Sequence, residues 1–268
     1  MNFFSRRNQI LLKELVKTDF KLRYQGSAIG YLWSVLKPLL LFLVMYMVFV
    51  RFLKFGAGIP HFAVALLLGI TIWNFFMEAT GMGMTAIVSR GDLLRKISFS
   101  KPILIISVTM NALINLLISL VVVIIFALIN GVSITSWTII FIPFLLVELV
   151  LFTLGFAFIL ATIFVHFRDI GPVWEVATQA GMYATPIIYP LSMVANNHKL
   201  IAQLMMLNPM AQIIQDFRHI LIDPINTTVW QINPHFIVFV IPYILPFIIF
   251  FIGLAIFTKS ANKFAEII

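Results

Sequence analysis

An apolar run of 25 residues, 29–53, limits what this chain can fold into more than any other feature. As an α-helix the run would be about 37 Å long, which exceeds the roughly 30 Å hydrocarbon core of a bilayer. The charged, helix-prone segment before it cannot follow the run into lipid. Lys21, Arg23 and Tyr24 are therefore predicted at the membrane surface, and residues 1–28 are interpreted as an interface segment that leads into a first span.

The composition places the whole chain in the same class. Hydrophobic residues make up 62% of the sequence and charged residues 10%, whereas soluble domains carry about 25% charged residues. We expect one transmembrane domain over residues 1–268, with no cleavable leader, because the first apolar run has spanning length. The sequence contains no cysteine, so disulfides and thiolate metal sites are excluded.

Five further apolar runs predict five more spans, which gives an all-α membrane protein with six transmembrane helices: 61–84, 102–129, 137–165, 171–188 and 235–257. The fifth span is the most polar, and Pro186 and Pro190 are expected to break it early.

The segment 189–234 precedes the last span and contains two short apolar stretches, 199–206 and 210–222. Both are too short to cross a bilayer. We interpret them as re-entrant or gate helices on the external side.

Residues 9–24 have the periodicity of an amphipathic helix that lies in the membrane interface. Asp19 and Arg23 fall on its apolar side, four residues apart. Two interpretations stay open: a surface ion pair of little energetic consequence, or a polar contact to a protein docked beneath the membrane.

The distribution of basic residues predicts the orientation. Six spans place both termini on one side, and the segments of that side hold 13 basic residues: Arg6, Arg7, Lys13, Lys17, Lys21, Arg23, Arg90, Arg95, Lys96, Lys101, Arg168, Lys259 and Lys263. The opposite side holds 4, namely Arg51, Lys54, Lys199 and Arg218. Basic residues accumulate on cytoplasmic loops, so both termini are predicted to be cytoplasmic. This bias also explains the net charge of +8, which therefore does not imply a nucleic-acid partner.

Polar residues inside the spans are the candidates for function. Glu78, Glu148 and Glu175 are expected to face a protein interior or a water path, because ionisable groups avoid lipid. Gly81 and Gly83 would permit close helix contact. The chain has no G-x-x-x-x-G-K-[ST] and no H-E-x-x-H motif, and its five histidines are scattered, so neither a catalytic nor a metal site is predicted.

Four stretches resemble one known family. The sequence of residues 21–40 is K-L-R-Y-Q-G-S-A-I-G-Y-L-W-S-V-L-K-P-L-L, and it resembles the entry motif of the permease subunits of ABC exporters for lipid-linked polysaccharides. This family exports O-antigen, capsular polysaccharide, rhamnose polymers and teichoic acids. Residues 93–101 resemble its cytoplasmic coupling helix, although Ser100 stands where many members have proline. F-R-D-I with T-P-I-I-Y-P, residues 167–190, and L-N-P-M-A-Q-I-I-Q-D-F-R, residues 207–218, resemble its later signatures.

The resemblance implies a permease in the cytoplasmic membrane rather than an enzyme. Two copies would enclose a path for a polyprenyl-linked polysaccharide, and two copies of a separate ATPase subunit would bind ATP and Mg, with no cofactor in this chain. The residues implied for the path are Trp33, Trp73, Trp174, Glu78 and Glu175. Those for the lipid head group are Arg23, Arg90 and Arg168. Those for the ATPase contact are Asp19, Arg23, Arg90, Asp92, Arg95 and Lys96. Those for the external gate are Asn208, Pro209, Asp216 and Arg218.

Two other functions stay open at this point. A secondary transporter or channel could use Glu78, Glu148 and Glu175 as a proton path, but the sequence shows no clear inverted repeat of broken helices. A membrane-embedded polyprenyl-sugar transferase would need clustered acidic or histidine residues at one interface, and the sequence shows no such cluster.

Overall fold

The computed structural model describes residues 5–24, 30–133, 137–233 and 235–264. Over these ranges it contains α-helices, short 3₁₀ and π segments and no β-strand, which confirms the all-α prediction. The α-helices are α1 Arg6–Tyr24, α2 Trp33–Met45, α3 Phe62–Thr85, α4 Gly91–Lys96, α5 Pro102–Ile129, α6 Ile142–His166, α7 Ile170–Ala184, α8 Leu191–Asn197, α9 Lys199–Met205, α10 Pro209–Leu221, α11 Val229–Ile232 and α12 Phe236–Ser260.

Five helical segments of the described chain are long and apolar enough to cross a membrane: Val35–Phe52, Phe62–Thr85, Pro102–Ile129, Ile139–His166 and Phe236–Lys263. They agree with five of the six predicted spans to within a few residues, apart from the start of the first and the end of the last, which each differ by six residues. That first segment begins as α2 and continues as a π-helix, Tyr46–Phe52. Pro38 lies inside α2 without ending it.

The fifth predicted span, 171–188, differs from the structure. Its helix α7 has 15 residues, about 22 Å, and is shorter than the hydrocarbon core. Thr185 is extended, with φ −95° and ψ 138°, because the residue before a proline is biased away from the helical region. Residues 185–188 continue as a buried, non-helical segment, which we call the α7 extension.

α3 lies at the centre of the bundle and packs against α5, α6 and α7. Seventeen of its residues are buried, so it has little contact with the surroundings. We call the end of the bundle where α3 ends, and where α1 and α4 lie, the proximal end. There Leu11 and Leu15 of α1 pack with Phe257 and Phe264 against the ends of the long helices. The opposite end is the distal end.

α10 lies at the distal end, inside the bundle rather than on its surface. The Asn208 side chain accepts a hydrogen bond from the backbone N–H of Met210 at 3.0 Å and so caps the helix. Most of α10 is buried, against α3, α6 and α12. Both short helices predicted between the fifth and last spans are therefore present, as α9 and α10.

Candidate translocation path and docking surface

The outward side of α7 is polar and open. Glu175 and Gln179 are exposed in the single chain, and because they are four residues apart they share one face of the helix. Val176 and Tyr183 beside them are 67% and 60% exposed. An ionisable side chain is costly in contact with lipid, so this face, the α7 outer face, is suited to a water-filled path or a second protein.

The inward side of α7 is held by aromatic packing. The Trp174 Nε1–H donates a hydrogen bond to Thr80 Oγ1 at 3.0 Å. The Trp174 ring stacks on Phe156, with centroids 5.5 Å apart, and also contacts Phe76. Trp174 is therefore a packing residue that fixes the rotation of α7 and points Glu175 outward.

The other two tryptophans predicted for the path differ in exposure. Trp73 is 3% exposed, and a Cβ at Gly181 of α7 would lie 3.0 Å from its ring. A ring enclosed by its own chain cannot stack on a sugar, so this burial argues against the path role for Trp73. Trp33 is 42% exposed at the start of α2 and keeps an open face.

Two of the three intramembrane glutamates lie inside the bundle. Glu78 accepts a hydrogen bond from Asn115 Nδ2 at 2.9 Å, which links α3 to α5. Glu148 is fully buried, beside Gln212 and Asp216 of α10. Glu175 alone of these three is exposed, so the structure does not bring the three carboxylates to one continuous path.

A small polar cluster pins α10 to its neighbours. Asp216 Oδ2 accepts hydrogen bonds from Gln212 Nε2 at 2.8 Å and from the Tyr243 hydroxyl at 2.6 Å. Tyr243 belongs to α12, and sequence reasoning did not single it out. The sequence did offer one signal for this contact: Tyr243 lies in an apolar helix, between Pro242 and Pro246. A buried tyrosine hydroxyl usually has a hydrogen-bond partner.

The predicted gate residues lie inside the single chain. Pro209, Asp216 and Arg218 are buried, and Asn208 is partly buried. The Arg218 guanidinium is 1% exposed and donates only to main-chain carbonyl groups within the described chain. These residues hold α10 in place, so no side chain among them is free to act as a plug on its own.

At the proximal end, α1 is fastened to the bundle by an ion pair between Asp19 and Arg90. Arg90 also donates to Ser107 Oγ at 3.0 Å. Asp19 was predicted to pair with Arg23 or with a docked protein; the Arg23 side chain lies outside the described structure, so that pairing stays a prediction, and the described partner of Asp19 is Arg90. The sequence could not show this pairing because the partners are 71 residues apart.

A cavity of about 460 Å³ opens beside this ion pair. Its lining is mixed: Leu22, Met82 and Val108 are apolar, whereas Asp19, Thr85, Ser89 and Arg90 are polar or charged. A cavity lined by both kinds of side chain is suited to an amphipathic molecule that has a lipid chain and an ionic head.

The remaining predicted ATPase contacts are on the surface. Asp92, Arg95 and Lys96 of α4 are exposed, and so is Arg168 in the turn before α7. α4 begins two residues before the predicted coupling segment 93–101 and ends at Lys96. The proximal end therefore presents a short cationic helix to whatever lies beneath it.

The five helical segments of spanning length in the described chain define a multi-pass membrane protein. Within that class, residues 10–222 match the family model for the ABC-2 type transporter. The chain belongs to this family of transporter membrane proteins, which confirms the prediction of a transporter subunit rather than an enzyme. Membership implies an ABC ATPase subunit as partner.

Individual relatives agree with the resemblance. The chain is 32% identical to the O-antigen export system permease protein RfbA of Myxococcus xanthus over 210 residues, which cover 78% of this chain and 79% of the relative. It is 28% identical to the O-antigen export system permease protein RfbA of Klebsiella pneumoniae over 258 residues, 96% of this chain and 95% of the relative. The similarity to exporters of cell-surface polysaccharide is thereby confirmed.

Proposed function

We propose that this chain is the permease subunit of an ATP-driven exporter that moves a lipid-linked polysaccharide across the cytoplasmic membrane. Two copies of the chain enclose the path, and two copies of the ATPase subunit bind ATP and Mg beneath it. Both termini are cytoplasmic, so the proximal end faces the cytoplasm and the distal end faces outward. The similarity to permeases named for O-antigen export supports the substrate class.

The α7 outer face is the observation that carries this proposal. Glu175 and Gln179 cannot be solvated by lipid tails, and the aromatic contacts of Trp174 prevent α7 from turning them inward. Two copies that bring these faces together around water would line a hydrophilic path with carboxylate and amide groups. Such groups form hydrogen bonds with sugar hydroxyls.

The proximal cavity supports a lipid-linked substrate. Its apolar lining residues suit a polyprenyl chain, and the charged Arg90 in the same lining suits a phosphate or pyrophosphate head. Arg90 is already paired with Asp19, so a head group there has to compete with a carboxylate. The exposed Arg168 carries a charge that is available at the same end, and we assign it the first contact with the head group.

The test is reconstitution of the chain with its ATPase partner in liposomes that contain a polyprenyl-linked glycan. Glu175→Leu is expected to reduce ATP-dependent transfer of the glycan about tenfold, equivalent to about 1.4 kcal/mol in the barrier. Val176→Leu on the neighbouring exposed position is the control and should transport normally. Transport that needs an ion gradient and no ATPase would contradict the proposal and favour a secondary transporter.

A further inference from the structure

We infer that Arg218 is a positioning residue that fastens α10 to both the α7 extension and the first turn of α3, so that α7, α10 and this end of α3 move as one body during transport. The inference rests on the proposed function for its role in export, and on the geometry of the single chain for the attachment itself. In this view α10 is not a lid with its own hinge. It is a separate helix that moves together with α7, the helix that lines the proposed path.

The Arg218 side chain donates to three main-chain carbonyl groups, which lie in two segments that are far apart in sequence. Its Nε–H donates to the carbonyl of Ala65 at 3.0 Å, Nη1 to the carbonyl of Pro186 at 2.6 Å, and Nη2 to the carbonyl of Ile187 at 2.7 Å. Residues 186 and 187 lie in the α7 extension, where the helical hydrogen-bond pattern has ended. The planar fork of an arginine can reach several acceptors at fixed angles, which a lysine cannot do.

The positive charge of Arg218 makes its hydrogen bonds to the α7 extension costly to break. Arg218 is 1% exposed, and among the described residues no carboxylate lies within ion-pair distance of it. A buried cation without such a partner depends on its hydrogen bonds for stability. Separation of α10 from the α7 extension would leave the buried guanidinium without two of its hydrogen bonds. A hinge between these two segments is therefore strongly disfavoured.

A second attachment lies at the other end of α10. Asn208 Nδ2 donates to Thr185 Oγ1 at 3.3 Å, and Thr185 is fully buried. The α7 extension is therefore tied to α10 before its first turn and again in its last turn. Two attachments at opposite ends of a 13-residue helix prevent α10 from pivoting about either one.

The consequence is mechanical. α7 begins beside the exposed turn 167–169 at the proximal end, where the ATPase docks, and its extension ends on α10. A displacement of the proximal end of α7 would be carried to the distal end without a separate signal, because the α7 extension is hydrogen-bonded to α10 at both of its ends. Opening the distal end would therefore follow from movement of α7.

Gly69 offers a way to disturb Arg218 without removing its charge. A Cβ at Gly69 would lie 2.8 Å from Arg218 Nη2 and 3.2 Å from Ile187 Cγ2, so Gly69→Ala forces the guanidinium out of position. Gly81 lies on the same helix, and a Cβ there meets no described atom within 4 Å. Gly81→Ala is the matched control.

The experiment measures hydrogen–deuterium exchange in the full complex with the ATPase. In the absence of nucleotide, Gly69→Ala and Arg218→Met are expected to raise exchange about tenfold in both the α7 extension and the last turn of α10. Gly81→Ala should leave both unchanged, and Arg218→Lys should restore exchange only in part. Faster exchange in one segment while the other stays as in the unmodified protein would overturn the inference.

A second arm traps the complex with a non-hydrolysable nucleotide. In the unmodified protein the two segments should change their exchange together, whereas in Gly69→Ala the change should reach α7 and not α10. A change in α10 alone in the unmodified protein would show that α10 has its own hinge. The nucleotide-free arm needs neither substrate nor transport, so a failure of glycan transfer with an intact nucleotide-free result counts against the proposed function only.

Discussion

Single side chains divide α7 into a packed side and an open side. Trp174 contributes a hydrogen bond and ring stacking to the bundle, while the adjacent Glu175 points away from it. Trp73 of α3 is buried against the packed side of α7, whereas Trp33 of α2 is exposed. The tryptophans of the chain thus differ in exposure, and this difference separates the packing residues from the candidate for the path.

Substitution of the tryptophans tests this division. Trp73→Ala removes a buried indole from the core and should lower the free energy of unfolding by about 3–5 kcal/mol, seen as a lower melting temperature in detergent. Trp33→Ala removes a ring that is 42% exposed and should leave the melting temperature unchanged while reducing glycan transfer. Equal melting temperatures for the two variants would show that Trp73 is not a packing residue.

At the scale of elements, an ion pair between Asp19 and Arg90 helps to hold α1 on the bundle. The Asp19 and Arg90 side chains are 20% and 17% exposed, so the pair is only partly screened by water. The apolar residues Leu11 and Leu15 add packing to the attachment. This arrangement fixes the wall of the proximal cavity, since Asp19 and Leu22 both belong to α1.

Loosening that ion pair should free α1. Asp19→Asn is expected to weaken the attachment by about 1 kcal/mol and to raise hydrogen exchange in the last turns of α1. Glu14→Gln, an exposed change on the same helix, is the control and should have no effect. An unchanged exchange pattern in Asp19→Asn would mean that the apolar contacts alone hold the helix.

The sequence predicted the long elements well and the contacts between them poorly. Apolar runs of spanning length place α3, α5, α6 and α12 to within a few residues, because hydropathy is a local property. Of the two glycines predicted at close contacts, a Cβ at Gly83 would lie 2.7 Å from Ala157, whereas Gly81 has open space. The crossing of α6 and α12 depends on Gly155 instead, where a Cβ would meet the backbone of Ile249 at 2.7 Å. A glycine in the sequence can indicate that another helix approaches closely, but it does not indicate which helix that is.

For the candidate site, too, some features could be predicted from the sequence and others could not. Glu175 and the cationic α4 could be predicted because their exposure follows from local polarity. The burial of Trp73 and of α10 could not, since both depend on neighbours that are distant in sequence. Asp19 shows the limit most directly, because its pairing with Arg90 joins two elements that are 71 residues apart and no local pattern indicates it.

At the scale of the whole molecule, the uneven distribution of basic residues is the feature that sets orientation. The partly exposed Gly91 belongs to the proximal end and the exposed Asn197 to the distal end. In this cysteine-free chain, Asn197→Cys should react with a membrane-impermeant maleimide in intact cells. Gly91→Cys should react only after permeabilisation, and its labelling in intact cells would reverse the proposed orientation.

The exposed basic residues of α4 lead to a prediction about assembly with the ATPase subunit. Arg95→Glu with Lys96→Glu reverses two exposed charges of α4 and should weaken ATPase binding by on the order of 1 kcal/mol for each residue that is desolvated in the complex. Co-purification in mild detergent measures the loss. Lys199→Glu at the distal end is the control, because Lys199 is equally exposed but lies on the other side of the membrane. A similar loss with Lys199→Glu would mean that net charge, and not α4, governs the association.

The central position of α3 has a consequence for biogenesis. α3 is the most enclosed of the five spanning helices and also the least hydropathic, since a helix surrounded by protein has no need to satisfy lipid. Before its neighbours arrive, however, the nascent chain has to leave the translocon, where insertion depends on hydropathy. We therefore expect α3 to enter the bilayer alone less readily than the other four spanning segments of the described chain. The strongly apolar α5 that follows it is the neighbour expected to assist its insertion.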